Sequence, residues 1–504
     1  MMNGGRQKMN TIGFNNDMYI RKQSEMIGKR ISEFGGKLYL EFGGKLFDDF
    51  HASRVLPGFA PDIKLKMLLN MKERVEVVIV ISAEDIENKK IRGDIGISYD
   101  ADVLRLIDAF RDSGLYVGSI VIGMYNGQRS ADAFRKRLES LGMKVYLHYP
   151  IEGYPLNVRH VVSEEGLGKN EYVETTRPLV VVTAPGPGSG KMATCLSQLY
   201  HENLRGVKAG YAKYETFPIW NLPLSHPVNL AYEAATADLN DVNMIDPYHL
   251  EAYGKATVNY NRDVESFPVL RAIFEKIYGR CPYKSPTDMG VNMAGFCIVD
   301  DGAVRKASCE EIIRRYYKTL CDVIKCRATA DAVNKIELVM NQAGLQTDDR
   351  RVVRAALDKS KETGDKPAAA LELPDGRIVT GKTSSLLGPS AAVLLNALKA
   401  LSGIDKDTDV ISHSVIEPIQ KLKTEILGNH NPRLHSDEVL IALTISAGFD
   451  SHSAEAMKHL PDLRGCEAHS TVILAQSDDG VFRKLGINLS CEPKYTTKKL
   501  YHKQ

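Results

Sequence analysis

The chain has 504 residues, 43% of them apolar, with 65 basic and 63 acidic side chains for a net charge of +2. That length can bury large cores and corresponds to roughly two to four domains. The near-neutral balance offers no basic field for nucleic acid, and the longest apolar runs fall far short of the ~20 residues of a membrane-spanning helix.

Residues 1–8 (MMNGGRQK) lack the apolar core of a signal peptide and read as a disordered leader. Eight cysteines are scattered among apolar neighbours with no C-x-x-C pair, as reduced thiols of a cytoplasmic protein would be.

Residues 37–42 (KLYLEF) read as a first strand, followed at once by Gly43-Gly44-Lys45. Further strands are expected at 75–82, 117–122, 144–149, 179–183 and 208–214, with amphipathic helices over 100–114 and 130–142 between them. Strands alternating with helices predict an α/β fold: a doubly wound, mainly parallel sheet whose ligands bind at the carboxyl ends of the strands. This N-terminal α/β domain is expected over 9–301, with a long acidic and aromatic insertion at about 217–286. The run 291–301 (VNMAGFCIVDD) resembles a Walker B strand, or more plainly a strand ending in an Asp-Asp-Gly turn. A helical domain follows over 302–365. A smaller C-terminal α/β domain over 366–504 has a hairpin at 369–380, a helix at 389–400, and strands at 409–412 and 469–475.

The chain is organised around residues 177–205, RPLVVVTAPGPGSGKMATCLSQLYHENLR. A buried strand, a glycine turn, a lysine and a helix form the P-loop-like context in which backbone N–H groups cradle a phosphate. Gly186, Gly188, Ser189, Gly190 and Lys191 are the candidate phosphate-binding residues, with Lys45 and Arg54 after the first strand opposite them. The match to G-x-x-x-x-G-K-[ST] is degenerate: Pro185 stands at the first glycine and Met192 at the magnesium-binding hydroxyl. A second stretch, GRIVTGKT (376–383), satisfies the expression in full, but its first glycine belongs to a hairpin and no buried strand precedes it.

Asp238, Asp241 and Asp246 in the insertion are candidate metal or acid/base groups, with caps and turns as their structural alternative. His51 and Ser53 lie beside Lys45 and Arg54, and Ser412, His413, Ser414, His452 and His469 form a second polar set without an assignable triad.

Three stretches carry a family resemblance: EFGGKLFDDFHASRVLPGF (41–59), APGPGSGKMATCLSQLYHE (184–202) and SPTDMGVNMAGF (285–296). From about Met9 onward the chain resembles a bacterial family known as a domain of unknown function, some members of which are labelled ATP-dependent zinc peptidases. The resemblance brings no residue with an assigned role. The zincin signature needs a second histidine one helical turn beyond His201-Glu202, and Arg205 stands there, so zinc is not expected. His430 and His435 have loop spacing and no third ligand nearby. The leading expectation is an enzyme acting on a nucleotide, with Mg²⁺, or on another phosphorylated small molecule. The alternatives are a sensor that binds without turnover and a homo-oligomeric scaffold whose glycine turn is purely structural.

Overall fold

Short β-branched runs that are apolar on both faces need cover on both sides, which a central parallel sheet supplies. In the computed structural model, which describes residues 12–47, 49–92, 96–239 and 241–496, six strands form such a sheet. They are β1 (Leu38–Phe42), β2 (Val75–Ser82), β3 (Tyr116–Gly123), β4 (Lys144–Leu147), β5 (Leu179–Thr183) and β6 (Gly210–Tyr214). A two-residue β7 (Gly290–Val291) completes the order β7-β6-β1-β5-β2-β3-β4, parallel throughout. This is the doubly wound α/β sheet that the sequence predicts. The leader expected over 1–8 lies outside the described residues.

A helix the sequence reading does not anticipate, α1 (Asn16–Glu33), precedes β1 and is capped by the Asn15 side chain on Met18 N–H. The sheet is then flanked by α2 (Tyr99–Asp112) after β2, α3 (Arg129–Ser140) after β3, α4 (Lys191–Leu204) after β5 and α5 (Asn261–Tyr278) before β7. Alternate strand residues such as Tyr39, Val80, Val182 and Tyr211 share one core with Leu196 and Leu199 of α4 and Phe267 and Phe274 of α5. Adjacent strands β5 and β2 hand the chain on in opposite directions, to β6 and β3, and so do β6 and β1. Crevices at such reversals, outside the carboxyl ends, are where sheets of this kind receive ligands.

The strand expected over 291–301, whether Walker B or ending in a plain Asp-Asp-Gly turn, is not formed. Only Gly290–Val291 pairs in the sheet, because Asn292 turns its amide to the carbonyls of Thr216 and Pro218 and accepts from Ala294 N–H. Asp300 caps the next helix by accepting from Ala303 N–H, and Asp301 is that helix's first residue.

Gly13–Tyr232 and Asp241–Val304 make up one compact unit; the other takes in 233–239 and the described chain from Arg305. The helical stretch consists of α6 (Asp301–Ile324), α7 (Ala330–Ala343) and α8 (Arg351–Glu362). From Arg305 it lies in the same compact unit as the C-terminal sheet. That sheet has β8 (Ala368–Glu372), β9 (Ile378–Lys382), β10 (Glu467–Ser470) and β11 (Asn488–Cys491) in the order β9-β8-β10-β11, with only the last pair parallel. The full P-loop match lies on the β8–β9 hairpin, where Gly376 takes the left-handed turn position at φ +86°. Gly381 has no room for a Cβ against the backbone of Val393 in α9 (Pro389–Ser402). The strand expected at 409–412 is a loop: Val410 and Ile411 are buried in the core, Val410 accepts from Ser453 Oγ, and Ser412 caps the helix His413–Lys421.

Candidate functional site

Leaving Thr183, the chain turns through residues 184–190 before α4 begins. Gly188 and Gly190 sit at φ +77° and +89°, in the left-handed region that side-chain-bearing residues avoid. A Cβ on Gly186 would collide with the Tyr99 hydroxyl at the start of α2. Ser189 is buried, and its hydroxyl donates to the Gly186 carbonyl at 2.9 Å, closing the turn on itself. Gly190 offers no side-chain cap, so the N–H groups of the first turn of α4 have no side-chain acceptor there. Lys191, the first helical residue, is half-buried and makes no hydrogen bond or ion pair with any described residue. Burial pushes its pKa below the usual lysine range, Glu41 works against that, and Lys213 adds to it. Met192 packs against the core between the sheet and its helices, and Thr194 is buried, so neither presents a hydroxyl to the turn.

Beside this turn lies a buried cluster of charges. Glu41 and Lys213 are register partners on β1 and β6, one residue short of each strand's end. The Lys213 ammonium meets Asp263 Oδ2 at 2.5 Å and Glu215 Oε1 at 3.0 Å, and it donates to the Tyr260 hydroxyl. Tyr260 donates in turn to Glu215 Oε1 at 3.1 Å, and the Tyr211 hydroxyl donates to Glu41 Oε2 at 2.6 Å. Although burial opposes it, Asp263 and Glu215 hold Lys213 well above its ordinary pKa. Burial pushes the Glu215 carboxyl up to about 7, against the pull of Lys213. Asp241 pairs with Arg262 at 2.9 Å; its other oxygen, Oδ1, is buried without a partner among the described residues, and so is Nδ2 of the fully buried Asn259. Orphaned buried polar atoms of this kind ask for a water, an ion or a ligand.

The sequence-derived candidates divide accordingly. Gly186, Gly188, Ser189, Gly190 and Lys191 lie together in the turn. Lys45 is exposed and Arg54 half-buried, both beyond the carboxyl end of β1, which neighbours β5. The Lys64–Asp49 pair at 2.6 Å, buried behind Gly44, was not anticipated. Burial works against the Asp49 carboxylate, but Lys64 outweighs it and holds the pKa below its usual value. The three insertion aspartates are not brought together. Asp238 is exposed in the other compact unit. Asp246 is fully buried and spent on structure, accepting from His249 N–H and from the Thr287 N–H and hydroxyl. Only Asp241 faces the cluster. Among the described residues no group of three or more His, Cys, Asp or Glu side chains is placed to hold a metal ion. His201 bonds the Asn170 carbonyl, Glu202 takes Lys37 and Tyr39 at the far end of α4, and His435 pairs with Asp478. His469 is buried between Ser490 and Glu492, away from Ser412 and Ser414, which bond each other.

The sequence places residues 213–220 (KYETFPIW) at the ligand edge of the sheet but assigns no role to Glu41, Lys213, Glu215, Tyr260 or Asp263. Their one linear signal is a charged residue inside an otherwise apolar strand, in LYLEF and GYAKY.

These features define a doubly wound α/β protein with a glycine turn opening a helix beside buried charges. The chain belongs to the family described as domain of unknown function DUF1846, whose N-terminal part matches residues 12–344 and whose C-terminal part matches 348–501. It is 60% identical over 490 residues to the UPF0371 protein str1377 of Streptococcus thermophilus, covering 97% of this chain and 99% of that one. It is also 60% identical over 495 residues to the UPF0371 protein SpyM50764 of Streptococcus pyogenes, covering 98% and 100%. The three stretches that carried the resemblance fall at the ends of β1 and β5 and around β7. No described helix is long and apolar enough to cross a membrane.

Proposed function

We propose that the chain is an enzyme that binds a nucleotide or another phosphorylated small molecule at the carboxyl edge of its parallel sheet, with the phosphate on residues 186–191. The observation that carries this reading is Lys191, a half-buried ammonium without a partner among the described residues, at an uncapped helix start. Half-burying a cation without a counter-ion costs free energy, and an anion on the turn would relieve that cost. Catalysis, as against binding alone, is supported by the buried acid Glu215, pushed up to about 7 by burial next to Lys213.

A thermal-shift series with inorganic phosphate, pyrophosphate and nucleotides tests the reading. A ligand at 100 times its Kd should stabilise the chain by about 2.7 kcal/mol. Lys191→Ala should abolish that shift while leaving the unliganded melting temperature close to wild type. A shift unchanged in Lys191→Ala would remove the anion from this turn.

The sensor reading draws on Met192, since the usual magnesium-binding hydroxyl is replaced by a thioether packed, partly buried, against the core. If a metal serves this site through Asp241, Mg²⁺ should tighten nucleotide binding and Asp241→Asn should cancel the gain. Binding indifferent to Mg²⁺, with no turnover of any bound nucleotide, favours the sensor.

A further inference from the structure

In the C-terminal unit three helix starts meet at one corner. β9 and β10 both run antiparallel to β8, so the helices that follow them, α9 and Gln476–Leu485, begin at the same edge of that sheet. Asp478, in the first turn of the latter, accepts from the Ser436 N–H at 2.8 Å and the Ser436 hydroxyl at 2.7 Å and pairs with His435. These bonds bring in the start of a third helix, Ser436–Ser446, and Gly388 N–H ties α9 to it by donating to the Leu434 carbonyl at 3.3 Å. Asp478 thus sets a negative charge against two of the three positive helix ends. α9 has no such charge: Gly388 offers no side-chain cap, Pro389 has no N–H, and the first turn holds no acidic residue.

Ser390 lies in that first turn. It is 1% exposed, and its hydroxyl is buried without a hydrogen-bond partner among the described residues. The N–H groups of Ser390 and Ala391 also make no hydrogen bond with a described residue; Ala392 N–H is the first to find a carbonyl, that of Gly388. The Ser390 hydroxyl is aimed at the head of the helix, 3.9 Å from where a Cβ on Gly388 would stand. Apart from chain neighbours, only it and the Leu434 carbonyl oxygen, also at 3.9 Å, would come within 4 Å of that atom. At φ −70° and ψ 168° any residue could serve at 388, so what the glycine supplies here is an unfilled notch. Three donors facing no acceptor ask for the oxygens of a water or a ligand. The uncommitted charge at this corner is positive. Lys423 is paired with Glu438 and His435 with Asp478, whereas Arg433, whose Nε donates to the Ser384 carbonyl in the loop leading to α9, has no carboxylate partner among the described residues.

We propose that the head of α9 is an anion site that takes a phosphate group, free or as the monoester end of a small molecule. The group is held by the N–H groups of Ser390 and Ala391 and by the Ser390 hydroxyl, at the positive end of the helix. A P–OH of the ligand, or a water, donates to the Leu434 carbonyl on the other wall of the notch. This site lies in the C-terminal unit and does not rest on the reading of residues 186–191.

Equilibrium dialysis of the full-length Lys191→Ala chain against radiolabelled inorganic phosphate tests the proposal with the other candidate site disabled. That chain should bind a single phosphate. Adding Ser390→Ala or Gly388→Ala should weaken the binding by about tenfold or more, the first by removing a donor and the second by filling the notch. Ser390→Ala takes away a hydroxyl that has no partner, so the melting temperature without phosphate should hold or rise. In Lys191→Ala, hydrogen exchange read by mass spectrometry should slow over residues 388–394 when phosphate is added. Displacement of the ion by glycerol 3-phosphate makes the site one for monoesters, and failure to displace it restricts the site to the free ion; both keep the phosphate on α9. Affinity retained in both double variants places the ion elsewhere and overturns the proposal. So does an absence of binding to Lys191→Ala at millimolar phosphate, which leaves the notch to water. Should Ser390→Ala fail to fold, Gly388→Ala and the exchange of 388–394 decide in the same way.

Discussion

Glu41 and Lys213 are register partners across neighbouring parallel strands, one residue short of the carboxyl end of each. Two positions earlier in the same register the partners are Tyr39 and Tyr211, both buried in the core under α4 and α5. These two strands therefore run from the core into a buried cluster of charges over a single alternation, at the same end of the sheet as the turn after β5.

The turn's glycines differ in what they tolerate. Gly190→Ala places a side chain at φ +89° and should cost about 1–2 kcal/mol from backbone strain. Gly186→Ala adds a Cβ against the Tyr99 ring and should cost about 1–3 kcal/mol by overpacking. Denaturant unfolding of both variants measures these losses, and the thermal-shift response to pyrophosphate should weaken in both.

Trp220 can report on Glu215. Its indole wedges against Gly290, where a Cβ would strike it, and Glu215 Oε2 borders the same glycine. Tryptophan emission should therefore change with pH with a midpoint near the value of about 7 to which burial pushes Glu215. Glu215→Gln should flatten that titration. Emission that titrates identically in this variant would place the responding group elsewhere.

Arg350 is fully buried in the C-terminal unit, where it pairs with Glu310 at 2.9 Å and with Glu467 at 2.5 Å and donates to the carbonyls of Ala468 and Asn488. Arg350→Ala leaves two carboxylates and two carbonyls without that donor and should destabilise the unit by about 3–5 kcal/mol. Replacing Arg350, Glu310 and Glu467 together by apolar residues should recover much of the loss. Chemical denaturation followed by far-UV circular dichroism distinguishes the two.

The His435–Asp478 pair, at 2.8 Å, sets a pH dependence of stability. The hydrogen bond to Asp478 raises the His435 pKa above 6.5, so its contribution is complete below 6.5 and is lost as pH rises through the raised value. Burial opposes the Asp478 charge, but His435 and Ser436 outweigh it and lower the pKa below 3.8. That contribution is complete above 3.8 and is lost as pH falls. The pair thus stabilises most between about 4 and 6.5. His435→Ala should lower the melting temperature at pH 5.5 more than at pH 9.

By itself the sequence determined the strands, their parallel pairing and the glycine turn, because these depend on local and repeated properties. A β-branched run such as VEVVIVIS has one stable use, as a strand covered on both faces, and a turn with glycines at 188 and 190 has few conformations open to other residues. It also separated the hairpin of GRIVTGKT from a phosphate turn, since the flanking alternation is local too. What the tertiary structure decided is which charges meet. Asp238, Asp241 and Asp246 are close in sequence, yet they go to a different unit, a buried charge cluster and a helix cap. Glu41, Lys191, Lys213 and Asp263 span more than two hundred positions and meet in one cluster of charges, because strand order β6-β1-β5 and the start of α5 bring them there. Strand order is set by the total burial of two helix-covered faces, a sum over the whole unit that no single stretch carries.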